Sequence, residues 1–256
     1  MIPLNTIQCR DCLEGMREIE DKSIDLVITD PPFGTTQNEW DVPIPFPPMW
    51  EQICRIKKEN AAIIFFGLGM FTAELMASNK KRWKYNLIWD KETSTGFLNA
   101  NKMPLREHED IIIFYGAAPV YNPQWGAGPK THGRSYKNKD DVLENNYGNH
   151  HQTETDISLG HAKHPTSILK FKPVTANTRL HPTEKPVPLL EYLIKTYSNV
   201  GDVVLDFCIG SGSTAEASIR TGRQFIGFEK EQSYYDAASI RIKKAQEQGK
   251  ISGWFE

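Results

Sequence analysis

Asp30-Pro31-Pro32-Phe33 sets a carboxylate and an aromatic ring side by side, directly after an apolar run at 24–29 that reads as a buried strand. Two consecutive prolines forbid both helix and ladder pairing, so the chain must leave the sheet in a stiff, extended loop. In open α/β sheets, ligands bind at this end of the strands. A carboxylate accepts hydrogen bonds from an amine, and a ring stacks on a flat base. The tetrapeptide thus carries the chemistry to hold the exocyclic amine of a nucleobase. The bland alternative is a turn that merely closes a strand.

A second constellation lies in the other half of the chain. Asp206-Phe207-Cys208-Ile209-Gly210-Ser211-Gly212 reads as a strand end and a glycine turn, with Ser213 and Thr214 opening a helix. Glycines let the backbone approach a ligand closely, and a helix N-terminus offers free amides. Glu229 ends the next strand, 17 residues after Gly212, where an acid can accept from ribose hydroxyls. Gly210 to Ala215 also fits the dinucleotide fingerprint formally. A dinucleotide normally needs a full βαβαβ half, and only 27 residues follow Glu229, so a mononucleoside cofactor such as S-adenosylmethionine fits better.

These groups need a scaffold. The pattern predicts strands at 25–29, 61–66, 85–89 and 110–114 and helices at 49–58 and 70–79. Regularity returns with a helix at 187–197, a strand at 203–207, a helix at 213–220, a strand at 224–228 and a helix at 231–248. Alternation of this kind implies a parallel sheet with helical crossovers. Residues 118–180 break the rhythm, being rich in Asn, Gly, His, Thr and Pro, and read as an irregular insertion.

With 256 residues, 39 % hydrophobic and 24 % charged, the chain suits one globular α/β domain with an insertion. No apolar run reaches membrane-spanning length, and no basic-then-apolar leader opens the sequence, so a cytoplasmic protein without a membrane partner is expected. The cysteines Cys9, Cys12, Cys54 and Cys208 are scattered, which fits a reducing compartment; a lone Cys9/Cys12 pair does not make a zinc site, and no metal is expected. Net charge is −2, but residues 118–181 hold eight Lys/Arg against five acids and six of the seven histidines, a locally positive region able to attract phosphate.

Taken in order, these motifs resemble the β-class amino-methyltransferases of DNA, whose Asp-Pro-Pro-aromatic motif precedes the cofactor motif with a target-recognition segment between them. Cys9 to Met16 with 24–33 resembles the family's opening, 109–114 a family core strand, and 164–169 the segment after the recognition region. His181-Pro182-Thr183-Glu184-Lys185-Pro186 matches the motif before the cofactor half. The resemblance implies a Rossmann-like α/β fold with a mainly parallel sheet of seven strands. It divides the chain into a catalytic half at 1–117, an inserted recognition segment at 118–180 and a cofactor half at 181–256. One departure stands out: the family's cofactor turn reads Phe-x-Gly-x-Gly, whereas Cys208 fills the Phe slot here and Phe207 sits one residue early, facing the other way.

The resemblance further implies catalysis by Asp30, Pro31, Pro32 and Phe33. It puts S-adenosyl-L-methionine against Asp11, Asp30, Thr183, Lys185, Asp206, Phe207, Cys208, Gly210, Ser211, Gly212, Ser213, Thr214 and Glu229. Lys130, Arg134, Lys137 and Lys139 would hold phosphates of double-stranded DNA, with Asn122, Gln124, Asn145, Asn146 and Gln152 available to read base edges. The target base must leave the duplex for its amine to be reached. In the family, Asp at the first motif position goes more often with adenine N6 and Ser with cytosine N4. The chain has no Pro-Cys pair, which disfavours a cysteine nucleophile on cytosine carbon-5. A cytosine-N4 enzyme, an RNA or protein methyltransferase, a silent DNA-binding module and a nicotinamide oxidoreductase remain as alternatives. A homodimer and a cognate restriction endonuclease on a separate chain are both compatible with the family; the residues decide neither.

Overall fold

The structure, a computed structural model, describes residues 2–128, 142–145, 148–151, 161–175 and 177–252. It divides into two compact units, one formed by Met1–Asn122 with Ser167–Glu256 and the other by Pro123–Thr166. The smaller unit contains two antiparallel pairs. Its strands β6 (Gly126–Ala127) and β9 (Ala162–Lys163) pair with each other, as do β7 (Val142–Asn145) and β8 (Gly148–His151). Beside the first pair, the rings of Trp125 and His164 lie 4.4 Å apart.

The larger unit is built on an eight-stranded sheet. Its strands are β1 (Thr6–Cys9), β2 (Ile24–Thr29), β3 (Lys57–Gly67), β4 (Trp83–Thr95), β5 (Arg106–Phe114), β10 (Ile168–Lys170), β11 (Val203–Asp206) and β12 (Gln224–Glu229). Their spatial order is β1-β12-β11-β2-β3-β5-β4-β10, and every pairing is parallel except the two made by β5. The helices are α1 (Cys12–Arg17), α2 (Phe46–Ile56), α3 (Met70–Ser78), α4 (Val187–Tyr197), α5 (Ser213–Arg220) and α6 (Gln232–Ser252).

The central strands are apolar throughout because both faces are covered. Strand periodicity divides β3 cleanly between them. Ile63 and Phe65 join Met16, Trp50, Ile53 and Leu75 on the face of α1–α3, while Ile64 and Phe66 join Leu190, Leu193 and Ala217 on the face of α4 and α5. A third cluster (Ile209, Ala215, Ile219, Phe225, Ile242 and Ala245) fastens α6 to α5.

Three features depart from the expectation. The sheet has eight strands rather than seven: the six that the pattern marks, with the short edge strands β1 and β10 added. Strand β5 runs antiparallel, since the ten residues 96–105 between β4 and β5 hold only a 3-10 turn and cannot make the crossover a parallel neighbour needs. Helix α1 is additional. It starts where Asp11 accepts hydrogen bonds from Leu13 N (2.9 Å) and Glu14 N (3.2 Å), capping two free amides.

Gly15 in α1 gives the first testable outcome. A Cβ there would sit 2.4–2.8 Å from the buried Phe228 ring. Alanine improves helix propensity by about 1 kcal/mol, whereas forcing a rigid ring aside costs about 1–3 kcal/mol. Overpacking wins, so Gly15→Ala lowers the urea midpoint; a raised midpoint would show that α1 shifts freely.

Candidate active site

Strands β2 and β11 are neighbours, with Leu26 opposite Val204 and Val27 opposite Leu205. The chain leaves β2 for β3 on one side of this pair and leaves β11 for β12 on the other, which makes a switch point where a crevice opens at the strand ends. The two constellations, remote in sequence, therefore meet. A cavity of about 600 Å³ opens there, within the range of about 300–1,000 Å³ common for small-molecule sites.

Most of the expected residues line it. Asp30, Pro31, Pro32 and Phe33 form one wall; Phe207, Cys208, Gly210, Ser211 and Ser213 form another; Asp11, Thr183, Lys185 and Glu229 complete it. Asp206, Gly212 and Thr214 are not part of the lining. Asp206 is buried behind the turn, where its Oδ1 accepts from Cys208 N at 3.1 Å, and burial raises its carboxyl to about 6. Gly212 takes φ 81°, and a Cβ there would meet Ala238 of α6 at 3.0 Å, so this glycine serves turn and helix packing. Phe207 is 1 % exposed, its ring edge-on to Phe65 at 6.1 Å, and it belongs to the core as much as to the cavity.

Glu229 braces the glycine turn from the next strand. Its Oε2 accepts from Gly210 N (2.9 Å) and its Oε1 from Glu231 N (2.8 Å). Burial raises its pKa against these hydrogen bonds. A carboxylate has about four lone-pair sites, so each oxygen retains acceptor capacity toward the cavity.

Behind the Asp-Pro-Pro-Phe loop lies a buried charge network. Lys185 Nζ donates to Asp30 Oδ2 and lies 3.3 Å from Glu109 Oε2, while Lys91 donates to Glu109 Oε1. Two carboxylates are thus matched by two ammonium groups, with the Lys185 ammonium 5.0 Å over the Phe66 ring and that of Lys91 5.0 Å over Trp89. Burial pushes Asp30 up to about 6; Lys185 opposes this and the Glu109 charge adds to it. Burial would also raise Glu109, but its two ammonium neighbours hold it below its ordinary value. Lys185 is raised: burial works against its charge, and the two carboxylates outweigh it. Among the described residues, four buried side-chain polar atoms have no hydrogen-bond partner, and Asp30 Oδ1 is one of them.

Sequence reasoning missed Glu109 and Lys91 as site residues. The available signal was charge at the ends of strands that are otherwise apolar. It also missed the loop after Phe33. There the Asp41 carboxylate accepts from the backbone amides of Gly34 (2.8 Å), Thr35 (2.9 Å) and Thr36 (2.7 Å). Burial would raise this acid, yet the hydrogen bonds lower it. The fixed loop carries Trp40 to 5.1 Å from the His181 ring, and His181 packs against Tyr234 at 4.1 Å. Burial and the Lys185 charge lower His181 to about 4, so near neutral pH its Nδ1 is free to accept from Thr183 N at 3.2 Å. Phe33 stacks on Phe71 at 4.7 Å, which fixes the ring from behind.

Lys130, Arg134, Lys137, Lys139, Asn146 and Gln152 lie outside the described residues, and only the backbone of Asn145 is described. Asn122 corrects an expectation. Its amide donates to Lys195 O (3.2 Å) and Ser198 O (3.0 Å), satisfying carbonyls at the end of α4, so it caps a helix instead of presenting itself to a base.

A family profile described as DNA methylase, of N6/N4 type, matches residues 24–240. The chain is 24 % identical to the type II methyltransferase M1.MboII of Moraxella bovis, over 96 % of this chain and 99 % of that one. It is 28 % identical to M.HinfI of Haemophilus influenzae, over 94 % and 69 %. Among solved structures it resembles the cytosine-N4-specific PvuII DNA methyltransferase (TM-score 0.66, 15 % identity, 94 % of this chain and 90 % of that chain). It also resembles M1.HpyAVI in its complex with SAM (TM-score 0.62, 20 % identity, 93 % and 98 %). The profile spans the strand before Asp30, the glycine turn and the start of α6, and on that match the chain belongs to the DNA methylase family of N6/N4 amino-methyltransferases.

Proposed function

We propose that this chain transfers a methyl group from S-adenosyl-L-methionine to the N6 amine of adenine flipped out of double-stranded DNA. The observation that carries this reading is the state of Asp30: one carboxylate oxygen is held by Lys185, and the other is buried without a partner at the wall of the cavity. An orphaned buried acceptor is costly, so its retention points to a ligand donor that completes it. An exocyclic amine is such a donor.

The cavity residues fit the cofactor. Gly210 at φ 52° leaves backbone rather than side chain at the turn, Glu229 keeps lone pairs for hydroxyls, and Thr183 and Lys185 line the same space. Bound there, the cofactor supplies a methyl group on a positively charged sulfur. The chain's own residues do the rest. Phe33, backed by Phe71, stacks on the base. Asp30 Oδ1 and the Pro31 carbonyl accept the two amine hydrogens, which localises the nitrogen lone pair that would otherwise delocalise into the ring. Lys185 keeps Asp30 turned and charged. Holding the reacting atoms in line supplies much of the rate, and the fixed acceptors add electrostatic stabilisation as the nitrogen becomes positive and the methyl–sulfur bond breaks. Asp30 Oδ1 takes the proton the methylated nitrogen must shed and passes it to solvent. In the family this motif resembles, Asp at its first position favours adenine over cytosine.

Only ionised Asp30 accepts both ways, and its pKa is about 6. The transfer rate therefore rises about tenfold per pH unit below 6 and levels above 7. Replacing Lys185 by Met removes the charge that lowers Asp30 and moves this inflection upward. A flat profile between pH 5 and 8 in a single-turnover assay would contradict the assignment of Asp30 as acceptor. The reading as a whole is tested with labelled S-adenosylmethionine and unmethylated DNA. Label must enter the DNA; bound cofactor with none transferred would overturn it, and label in RNA or protein alone would redirect it.

A further inference from the structure

Residues 95–104, at the tip of the β4–β5 hairpin, are all exposed, and three of them are large and apolar. Phe97 is 69 % exposed, Leu98 fully and Met103 57 %. Scattered apolar residues on a surface need no explanation, but three within seven residues on one projection do. The tip is a built turn. Gly96 takes φ 91°, Phe97–Asn99 forms a 3-10 turn, and Ala100, Lys102 and Met103 donate backbone amides to Phe97 or Asn99 at 2.9–3.1 Å. Its stem is fastened as well: Ser94 Oγ donates to Glu107, and Thr95 Oγ1 donates to Arg106 O at 3.1 Å.

The hairpin stands at the catalytic edge of the sheet. Strand β4 runs in the same direction as β2, so its C-terminal end and the Asp30 loop share one edge. Arg106 at the stem lines the cavity, and Glu109, three residues further into β5, belongs to the Asp30–Lys185 network. Lys102 on the tip and Arg106 at its base offer two cations to phosphate; the stem also carries the Glu92 and Glu107 carboxylates, the second of them engaged by Ser94.

We propose that this tip is a wedge for duplex DNA, with Phe97, Leu98 and Met103 entering the base stack beside the target and filling the space the flipped base leaves. The inference rests on the proposed action on DNA. Pulling a base out breaks stacking and pairing. Apolar side chains inserted between base steps offset that cost, and phosphate contacts from neighbouring cations hold the insertion. DNA is the occupant that fits because the apolar tip carries Lys102 and is joined through Arg106 to the wall of the cavity that would receive the flipped base.

The test uses the full chain, the sequence at which it methylates DNA, and two duplexes of that sequence. In one the target base is normally paired; in the other it faces an abasic site and is already unpaired. The double variant Phe97→Ser with Leu98→Ser is expected to lose 10- to 100-fold in single-turnover rate on the paired duplex and less than threefold on the abasic one, with S-adenosylmethionine affinity by calorimetry unchanged. Leu98→Met, which keeps an apolar tip, retains the rate. Equal loss on both duplexes, or no loss on either, overturns the wedge while leaving the proposed reaction intact. A wild type that is dimeric by sedimentation and a double variant that is monomeric would assign the tip to a second copy instead. A wild type inert on all DNA removes the reading beneath it.

Discussion

Asp30→Asn lowers methyl transfer by about 10²- to 10³-fold while leaving S-adenosylmethionine affinity within about threefold. The substitution keeps shape and volume. The carboxamide has a single acceptor oxygen, and Lys185 already demands one on the side where it donates to Asp30. If the oxygen stays with Lys185, the NH₂ group faces the substrate amine, donor against donor. If it turns away, the Lys185 ammonium faces an NH₂ group in a buried setting. The first arrangement loses the acceptor that Oδ1 now provides, and the second keeps it only by setting donor against donor at the buried Lys185. Single-turnover transfer and calorimetric cofactor titration separate the two effects. A variant within tenfold of wild type would remove Asp30 from the chemistry, and a matching loss of cofactor affinity would make it a cofactor ligand only.

Lys185→Met is expected to cost about 3–5 kcal/mol of stability, the usual penalty for leaving buried charge without its partner. The Lys185 side chain is 6 % exposed, and Asp30 and Glu109 both face it. Without the ammonium, Lys91 alone opposes two buried carboxylates. The sign with pH follows from Asp30: it stands near 6 with Lys185 present and rises further without it. At pH 5 the carboxyl is largely protonated in the variant, so the penalty shrinks, whereas at pH 8 it is full. Urea unfolding at both pH values measures this. Adding Asp30→Asn removes one of the stranded charges and recovers part of the loss, a coupling of about 0.5–3 kcal/mol. A loss under 1 kcal/mol at pH 8, or no recovery in the double variant, would show that water rather than Lys185 solvates these acids.

The parts of this molecule that sequence displays well are those with local causes. The helix at 187–197 was legible to the residue because its apolar periodicity and Pro186 mark both face and start. Asp30 and the glycine turn were legible because prolines and glycines constrain backbone without regard to tertiary context. Their meeting around one cavity follows from the adjacency of β2 and β11, which the alternation implies but does not specify. Edge strands β1 and β10 escaped notice because four and three residues with mixed burial carry little periodicity. Helix α1 has six residues with Gly15 near its middle, so only the Asp11 cap announces it.

The Lys91–Glu109–Lys185–Asp30 network was beyond reach for a different reason. Its members come from β4, β5, the loop before α4 and the loop after β2. Their encounter depends on β5 running against its neighbours, which brings Glu109 to the edge where Asp30 lies. No spacing in the sequence encodes that. Cys208, the departure from the family's cofactor turn, proves to sit beside Cys12, which with burial holds its thiol well above the ordinary range. A neutral thiol there is a small packing group on the cavity wall.

No helix among the described residues is long and apolar enough to cross a membrane.

The most direct measurement is the identity of the methylated nucleoside. Purified protein is incubated with S-adenosylmethionine and unmethylated DNA of mixed sequence, the DNA is digested, and nucleosides are identified by mass, with Asp30→Asn alongside. N6-methyladenine from the wild type and almost none from the variant is the predicted result. N4-methylcytosine would keep the acceptor mechanism and overturn the base. No methylated nucleoside, with cofactor bound, would contradict DNA methylation by this chain.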